Sequence, residues 1–437
     1  MSDTDYVDSF YARTRADDRR WSTLSGIVRT DTCIVGGGLA GLNLALELAE
    51  RGRGVVLLEA RRVGWGASGR NGGFVGAGYS LGARRLRERV GPDDARRLYG
   101  FTQDAVRTIH RRIADHGIAC GPVVPGILKA GLAEDGPGLE REMDFMAEAF
   151  GVTSLEHWSA ERLRSVLATD RYSDALLLKG SVHLHSLNYA RGIAAAAAAA
   201  GARIHEGSAV VGHRLDGAEK EIRTAGGAVL ARDVVFACGG HVGLLHRRLS
   251  MATVPVATYV MLTEPLGDRL AGVIGVPHGV SDTRFCNDYY RPLADTRILW
   301  GGRVSTFQPP AERIAAALRR DMLTVYPQLA DVKVEVAWGG TMGYPRHKMP
   351  LIGRLQQGVW YCMGFGGHGM SATTAGAAVV AAAVADGDDR FRLFQPFGLD
   401  FAAGPFARPV AQLVYWGHKL RDGWRARGRP RGRPAAA

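Results

Sequence analysis

Cysteine is scarce in this chain and scattered. The five cysteines, Cys33, Cys120, Cys238, Cys286 and Cys362, form no CxxC pair, which argues against a zinc site or a redox dithiol. Those in apolar runs read as small buried hydrophobes. No unbroken apolar run reaches the ~18 residues needed to span a bilayer. The opening stretch MSDTDYVDSFYARTRADDRR alternates acids and bases around no apolar core, so it lacks the form of a secretory signal. The expectation is a cytoplasmic protein with no metal. Acidic residues are outnumbered, 43 against 55 Lys and Arg, for a net charge of +12. Half of that excess sits in Gly417–Ala437, with six Arg and one Lys against one Asp. The ending WRARGRPRGRPAAA is too rich in Pro, Gly and Arg to bury a core, so residues 425–437 read as a disordered, solvated tail. Contact with an acidic partner or a membrane surface is the alternative use of that charge, and nucleic-acid binding is not expected. Paired carboxylates, a Ser/His/Asp set and internal repeats are all missing.

What is present is a chain of 437 residues, 46% hydrophobic and 22% charged, long enough for two units. Residues 29–60 read as one βαβ unit: RTDTCIVG as a strand, LAGLNLALELAERG as a helix stopped by glycine, and VVLLEA as a second buried strand. From about Leu81 to Ala168 the text reads as helical, broken by GPDD, GPVVPG and GPG. ARGIAAAAAAA is an Ala-rich helix ending at Gly201. RIHEGSAVVGHRL, EIRTAGGAVLA and DVVFACGG are strands with glycine turns, and 254–263 and 297–303 are further strands. ERIAAALRRDMLTVYPQL is an amphipathic helix, and 369–386 is a small-residue helix. Strands interleaved with helices indicate an α/β fold.

Three stretches carry chemistry. Gly36-Gly37-Gly38-Leu39-Ala40-Gly41 is a GxGxxG between strand and helix. Gly36 allows the turn, Gly38 lets backbone approach a pyrophosphate, and Gly41 lets helix and strand pack closely. The helix N-terminus offers free N–H groups to phosphate. Glu59, ending the second strand, is placed to accept from an adenosine ribose. This motif alone fits FAD and NAD equally. The second stretch, ARRVGWGASGRNGG, is a loop that can lie along a cofactor, with Ser68, Arg70 and Asn71 as donors. The third, Gly364-Phe365-Gly366-Gly367-His368-Gly369-Met370, opens a helix whose N–H groups and dipole would stabilise charge on a reduced flavin. His368 is a candidate base or a positioning residue. Together the three indicate FAD.

With these motifs the chain resembles the D-amino-acid-oxidase-like (glycine/sarcosine oxidase) flavoenzymes, and within them the gamma-glutamylputrescine oxidoreductase group. The resemblance is carried by VDSFYA, IVGGGLAGL, VGWGASGRNGG, VHLHSLNYARG, TEPLG, SDTRFCNDYYRPLADTRILWGGR, WGG and PLIGR…YCMGFGGHGM. It implies a Rossmann-like FAD domain of the glutathione-reductase type beside an α+β, mixed-sheet substrate domain. The expected division is an N-terminal extension over 1–28, the FAD domain from 29–78, 181–245 and 337–402, the substrate domain from 79–180 and 246–336, and a C-terminal helix over 403–424. The resemblance places FAD against Gly36, Gly38, Leu39, Ala40, Gly41, Glu59, Ala60 and Arg61. It continues along Gly66, Ala67, Ser68, Arg70, Asn71, Gly72 and Gly73, with Val210 at the adenine and Gly239 nearby. Gly366, Gly367, His368, Gly369 and Met370 would meet the flavin ring.

Related enzymes that hold flavin covalently use a His in the early loop or a Cys before the last strand. Here the loop has Arg70 and WGGTMGYPRHKMP has no Cys, which implies non-covalent FAD. Phe74 stands where the group usually has Gln, and Ser186 where it has Pro, which implies a different pocket lining. The reaction implied is oxidation of a C–N bond in an amine or amino acid, with imine hydrolysis and return of electrons to O2 as hydrogen peroxide. A dehydrogenase passing electrons to a quinone or carrier protein is the alternative. Tyr259, Tyr290, Arg291 and His368 are the expected catalytic side chains, with Asp288, Tyr344 and Lys348 as further substrate contacts. Trp300 and Trp338 read as core.

Overall fold

The computed structural model describes residues 5–132, 138–284 and 287–402, together with Pro409, Gln412 and Tyr415. Cys286 and the tail expected over 425–437 lie outside the described residues, as does nearly all of the helix expected over 403–424.

Two sheets organise the chain. The first runs in the order Leu351–Gln356, Val359–Met363, Gly227–Phe236, Gly26–Val35, Val55–Leu58 and Arg203–His205, with a hairpin of Val210–Arg214 and Lys220–Thr224 attached to Gly227–Phe236. Its central pairs are parallel. Such a sheet is covered on both faces, which is why Val55–Leu58 and Val359–Met363 are apolar and buried throughout. Alternation sorts the side chains between two cores. Ile34, Val55 and Leu57 face the helices Leu39–Glu50, Ser186–Ala199 and Gly369–Asp386, whereas Cys33, Val35, Val56 and Leu58 face the opposite side with Phe236 and Leu249. Helix Gly369–Asp386 is long and apolar enough to cross a membrane, yet 78% of it is buried inside the protein as a core helix.

The second sheet has nine strands in the order Val334–Tyr344, Val254–Thr263, Ile298–Ser305, Tyr289–Pro292, Gly279–Asp282, Val124–Leu132, Tyr172–His183 and Phe74–Val75, with Leu155–Trp158 beside Tyr172–His183. One face packs on helix Ala311–Val325 through Leu128, Ala130, Val280, Tyr290, Trp300, Ile314 and Leu318. The other face is turned toward the first layer.

One expectation needs correction, and two parts of the expected division cross between the layers. The text over 81–168 is not helical throughout, because Val124–Leu132 and Leu155–Trp158 are strands of the second sheet. Local charge density suggested helix, but the alternation of Ile127 and Lys129 with Leu128 and Ala130 is that of a strand paired with Tyr172–His183. The boundary expected at 337 also falls inside strand Val334–Tyr344, which pairs with Val254–Thr263 and so belongs to the second sheet. Helix Pro92–Asp115, assigned to the second unit from the sequence, packs Leu98 and Ile109 into the helical core of the first.

The N-terminal segment is structural rather than loose. The Tyr6 hydroxyl donates to Val63 O at 2.7 Å, Arg62 pairs with Asp5 at 3.2 Å, and buried Arg191 pairs with Asp17.

Candidate functional site

The first cradle lies where strand Gly26–Val35 turns into helix Leu39–Glu50. Gly36 has φ +116°, and a Cβ on it would sit 2.7 Å from Ala237 O. A Cβ on Gly41 would be 2.0 Å from Gly36 O, so only glycine lets this helix approach the strand so closely. Gly38 is the helix N-cap in an extended conformation and makes no side-chain cap. Glu59 is fixed by its neighbours. Gly37 N–H donates to Oε2 at 2.6 Å, and Arg61 N–H donates to Oε1 at 2.8 Å. Burial pushes its carboxyl up, against those two donors.

The second cradle is the loop that follows. Asn71 pins it internally: its amide donates to Ala67 O at 3.1 Å and Ser68 O at 2.9 Å, and its Oδ1 accepts from Gly73 N–H at 2.8 Å. The side chain expected to donate to a ligand is thus spent on the loop. Ser68 Oγ accepts from Leu39 N–H at 2.9 Å, tying the loop to the first cradle. The guanidinium groups of Arg61 and Arg70 each stand 4.0 Å from the centre of the Trp65 ring. Arg70 is buried, gives Nη1 to Gly339 O at 3.3 Å, and has no partner for Nη2 among the described residues. Burial, with the charge of Arg61 added, lowers its pKa to about 10.

The third cradle precedes helix Gly369–Asp386. Gly364 and Gly366 have φ of +72° and +58°. Gly366 N–H donates to Gly343 O and Gly367 N–H to Ser80 Oγ, both at 3.0 Å. His368 is open to the interior cavity; burial, then the charge of Lys129, lowers its pKa and favours the neutral imidazole.

All three cradles line one cavity of about 1530 Å³. FAD is long, with an adenosine, a pyrophosphate and a flavin, and the residues fit each part. Nη2 of Arg70, unpartnered among the described residues, suits a phosphate oxygen. Gly36 and Gly38 line the cavity as bare backbone. Val211 and Leu244, among the most exposed large hydrophobics at 69% and 101%, line the same cavity beside Val210, where a planar base would cover them. The model of the DAO family, described as FAD dependent oxidoreductase, matches residues 31–383. The chain belongs to this family.

Relatives of this FAD-dependent oxidoreductase agree. It is 34% identical over 395 residues to gamma-glutamylputrescine oxidoreductase of Escherichia coli, covering 90% of this chain and 92% of that protein. It is 33% identical over 403 residues to the probable oxidoreductase OrdL of Haemophilus influenzae, covering 90% and 91%. Among solved structures, glycine oxidase from Geobacillus kaustophilus matches with a TM-score of 0.70 at 22% identity, covering 85% of this chain and 99% of that one. L-proline dehydrogenase from P. horikoshii matches at 0.71 and 19% identity, covering 86% and 98%. These structures share the fold.

Of the positions expected at FAD, all but Gly41 and Gly73 line the oxidoreductase cavity. Those two act by packing: a Cβ on Gly73 would lie 2.0 Å from Leu184 O. Among the expected catalytic side chains, His368 lines the cavity and the other three do not. Tyr259 donates to Phe307 O at 2.6 Å, Tyr290 is fully buried and stacked on Trp300 at 4.3 Å, and Arg291 is buried against Gly72 O of the second cradle. Strand alternation explains Tyr290, since it and Tyr289 must face opposite sides, and it is Tyr289 that lines the cavity. Tyr344 and Lys348 line it too. Asp288 does not; it is buried against Arg284, which also binds Asp282. Burial pushes Asp288 up to about 7. Thr258, Ser281, Lys129 and Glu142 line the cavity and were not anticipated, because their strands or helix had to be paired before their faces were known.

Proposed function

We propose that this oxidoreductase oxidises the C–N bond of an amine or amino acid, with FAD held non-covalently and O2 as electron acceptor. The observation that carries the proposal is the two-sided cavity. Its first wall is built from FAD cradles, and its second is the free face of the nine-stranded sheet, which bears Thr258, Ser281 and Tyr289. The 34% identical relative, named for gamma-glutamylputrescine, supports the amine class.

Bound FAD supplies a two-electron acceptor for a hydride equivalent from the carbon beside nitrogen. The chain's residues would hold it: Glu59 at the ribose, Arg70 and the Gly38 turn at the phosphates, and the 366–370 backbone with its helix N-terminus at the ring. Neutral His368 can accept a hydrogen bond from a neutral amine and so orient it. The resulting imine takes up water to give a carbonyl product and ammonia, or an amine where the donor is secondary, and O2 leaves as hydrogen peroxide. Non-covalent binding is supported by the cysteines. Among the described residues only Cys238 lines the cavity, and it sits by Glu59 and Val35 at the nucleotide end. Burial and the Glu59 charge push its thiol up to about 12, so it is a poor nucleophile. A cytoplasmic site of action accompanies this reading.

The test is an anaerobic screen of primary amines, secondary amines and amino acids, following the flavin band near ~450 nm. A donor that bleaches it, followed by recovery in air with one peroxide per turnover, supports the proposal. Bleaching without reoxidation in air overturns O2 as acceptor and leaves the dehydrogenase alternative. No bleaching by any amine overturns the reaction class.

A further inference from the structure

The pairing register of the nine-stranded sheet fixes which side chains share the cavity face. Ser281 lies opposite Tyr289 on one side and opposite Lys129 on the other. Tyr289, Ser281 and Lys129 therefore form one row across three neighbouring strands, and all three line the cavity. Tyr289 marks the end at the second cradle, since a Cβ on Gly72 would meet its ring at 2.6 Å. Neighbouring strands are ~4.8 Å apart, so Lys129 stands roughly 10 Å from Tyr289 along the row.

Beside this row the wall is apolar. Phe74 packs edge-on to Tyr289 at 5.6 Å, and Ile127 and Leu178 are paired neighbours on the same face. At the far end Lys129 Nζ donates to both Glu142 carboxylate oxygens, at 2.7 and 2.6 Å, with Glu142 supplied by helix Gly138–Phe150. Lys129 is also the charge that, after burial, lowers the His368 pKa, so the pair and the 364–370 loop belong to one electrostatic environment.

We infer that the Lys129–Glu142 pair is a subsite for a zwitterionic head group, an α-amino-carboxylate carried roughly 10 Å from the carbon to be oxidised. Lys129 takes the carboxylate and Glu142 the ammonium. The inference rests on the amine-oxidising reading of the same cavity. The pair is one-third exposed, at 34% and 37%, so its mutual attraction is weak and its partners exchange at little cost. A ligand with one charge would leave either the lysine or the carboxylate unpaired. A ligand with both signs leaves neither, and this selects against plain amines.

The test compares γ-glutamylputrescine, with an amine at one end and an amino-acid head at the other, against N-acetylputrescine, which lacks the head. Binding to the FAD-loaded protein is read by calorimetry and by perturbation of the flavin spectrum, and bleaching is read separately. Lys129→Gln and Glu142→Gln should each weaken binding of the zwitterionic probe by about tenfold or more and leave N-acetylputrescine unchanged. Lys129→Arg should stay within about threefold of the parent, and all three variants should melt with it. Equal effects on both probes, no effect on either, or a parent protein that does not prefer the zwitterion would overturn the subsite. Selective binding that never bleaches the flavin would instead overturn amine oxidation and uphold the subsite.

Discussion

Arg291 donates from Nε to the carbonyl oxygen of Gly72 at 2.9 Å. Its Nη2 also reaches Leu184 O at 3.1 Å and the Tyr11 hydroxyl at 3.2 Å, and Nη1 reaches His183 Nδ1 at 3.1 Å. One buried cation thus joins the second cradle, the second sheet and the N-terminal segment. Arg291→Met leaves buried carbonyls unpaired, at about 1–3 kcal/mol each. The expected outcome is a lower melting temperature and a lower ratio of flavin to protein absorbance after dialysis. Arg291→Lys keeps the charge but not the planar fork, and should recover only part of either. Unchanged melting and flavin content in Arg291→Met would refute this positioning role.

The glycines of the first turn differ in what they tolerate. A Cβ on Gly41 meets Gly36 O, a backbone atom, at 2.0 Å, whereas one on Gly38 meets the Ser68 hydroxyl at 3.0 Å. Backbone cannot move aside and a serine side chain can. Gly41→Ala should therefore give insoluble or unfolded protein. Gly38→Ala should fold, keep its far-UV circular dichroism, and bind FAD about tenfold or more weakly because backbone no longer approaches the pyrophosphate. A soluble, FAD-saturated Gly41→Ala would contradict the packing assignment.

The same distinction explains what the sequence discloses. The FAD half is legible because its geometry is local: Gly36, Gly38, Glu59 and the 364–370 loop act through turns and helix ends encoded by adjacent residues. The substrate half is assembled by pairing. Whether Tyr289 or Tyr290 faces the cavity depends on strand phase, and whether Lys129 meets Glu142 depends on a strand in text that reads as helical. Arg291 shows the intermediate case. Its importance is visible, but not that Gly72 O, rather than a substrate carboxylate, occupies its fork.

Two histidines beside this network make stability depend on pH. His183 Nε2 lies 2.9 Å from Pro277 O, so it donates there and Nδ1 accepts from Arg291. His185 Nδ1 accepts from Asn188 N–H at 3.1 Å, and its Nε2 faces Thr14 Oγ1 at 3.0 Å. Burial first, and then the Arg291 charge, lowers both to about 3. The folded pKa lies below the ordinary value of 6.5, so the stability is full above pH 6.5 and drains as pH falls toward 3. Each histidine contributes a slope of at most about 1.4 kcal/mol per pH unit. Asp288, raised to about 7, slopes the opposite way, losing stability as pH rises from its unfolded value. Denaturant melts from pH 4 to pH 8 should show a shallower acid slope in His185→Gln than in the parent (about one histidine's share). Parallel slopes would exclude the imidazole as the source.

Arg70 separates the needs of the empty protein from those of the loaded one. Without an anion its Nη2 is buried and unpartnered beside a second cation across Trp65. A buried, unsatisfied charge destabilises the protein that carries it, and a phosphate reverses the sign. Arg70→Met should therefore raise the melting temperature of FAD-free protein. It should also weaken FAD binding by about tenfold to a hundredfold, the effect of losing one charged hydrogen bond of about 1.5–3 kcal/mol. Trp65→Leu should weaken FAD as well, without stabilising the apoprotein, because it removes the ring that shields the two cations. Acid precipitation of the parent should release all of its flavin into the supernatant, as non-covalent binding requires. Melting of apo and loaded protein side by side decides the matter: if Arg70→Met shifts both in the same direction, the guanidinium is a structural strut and not a phosphate ligand.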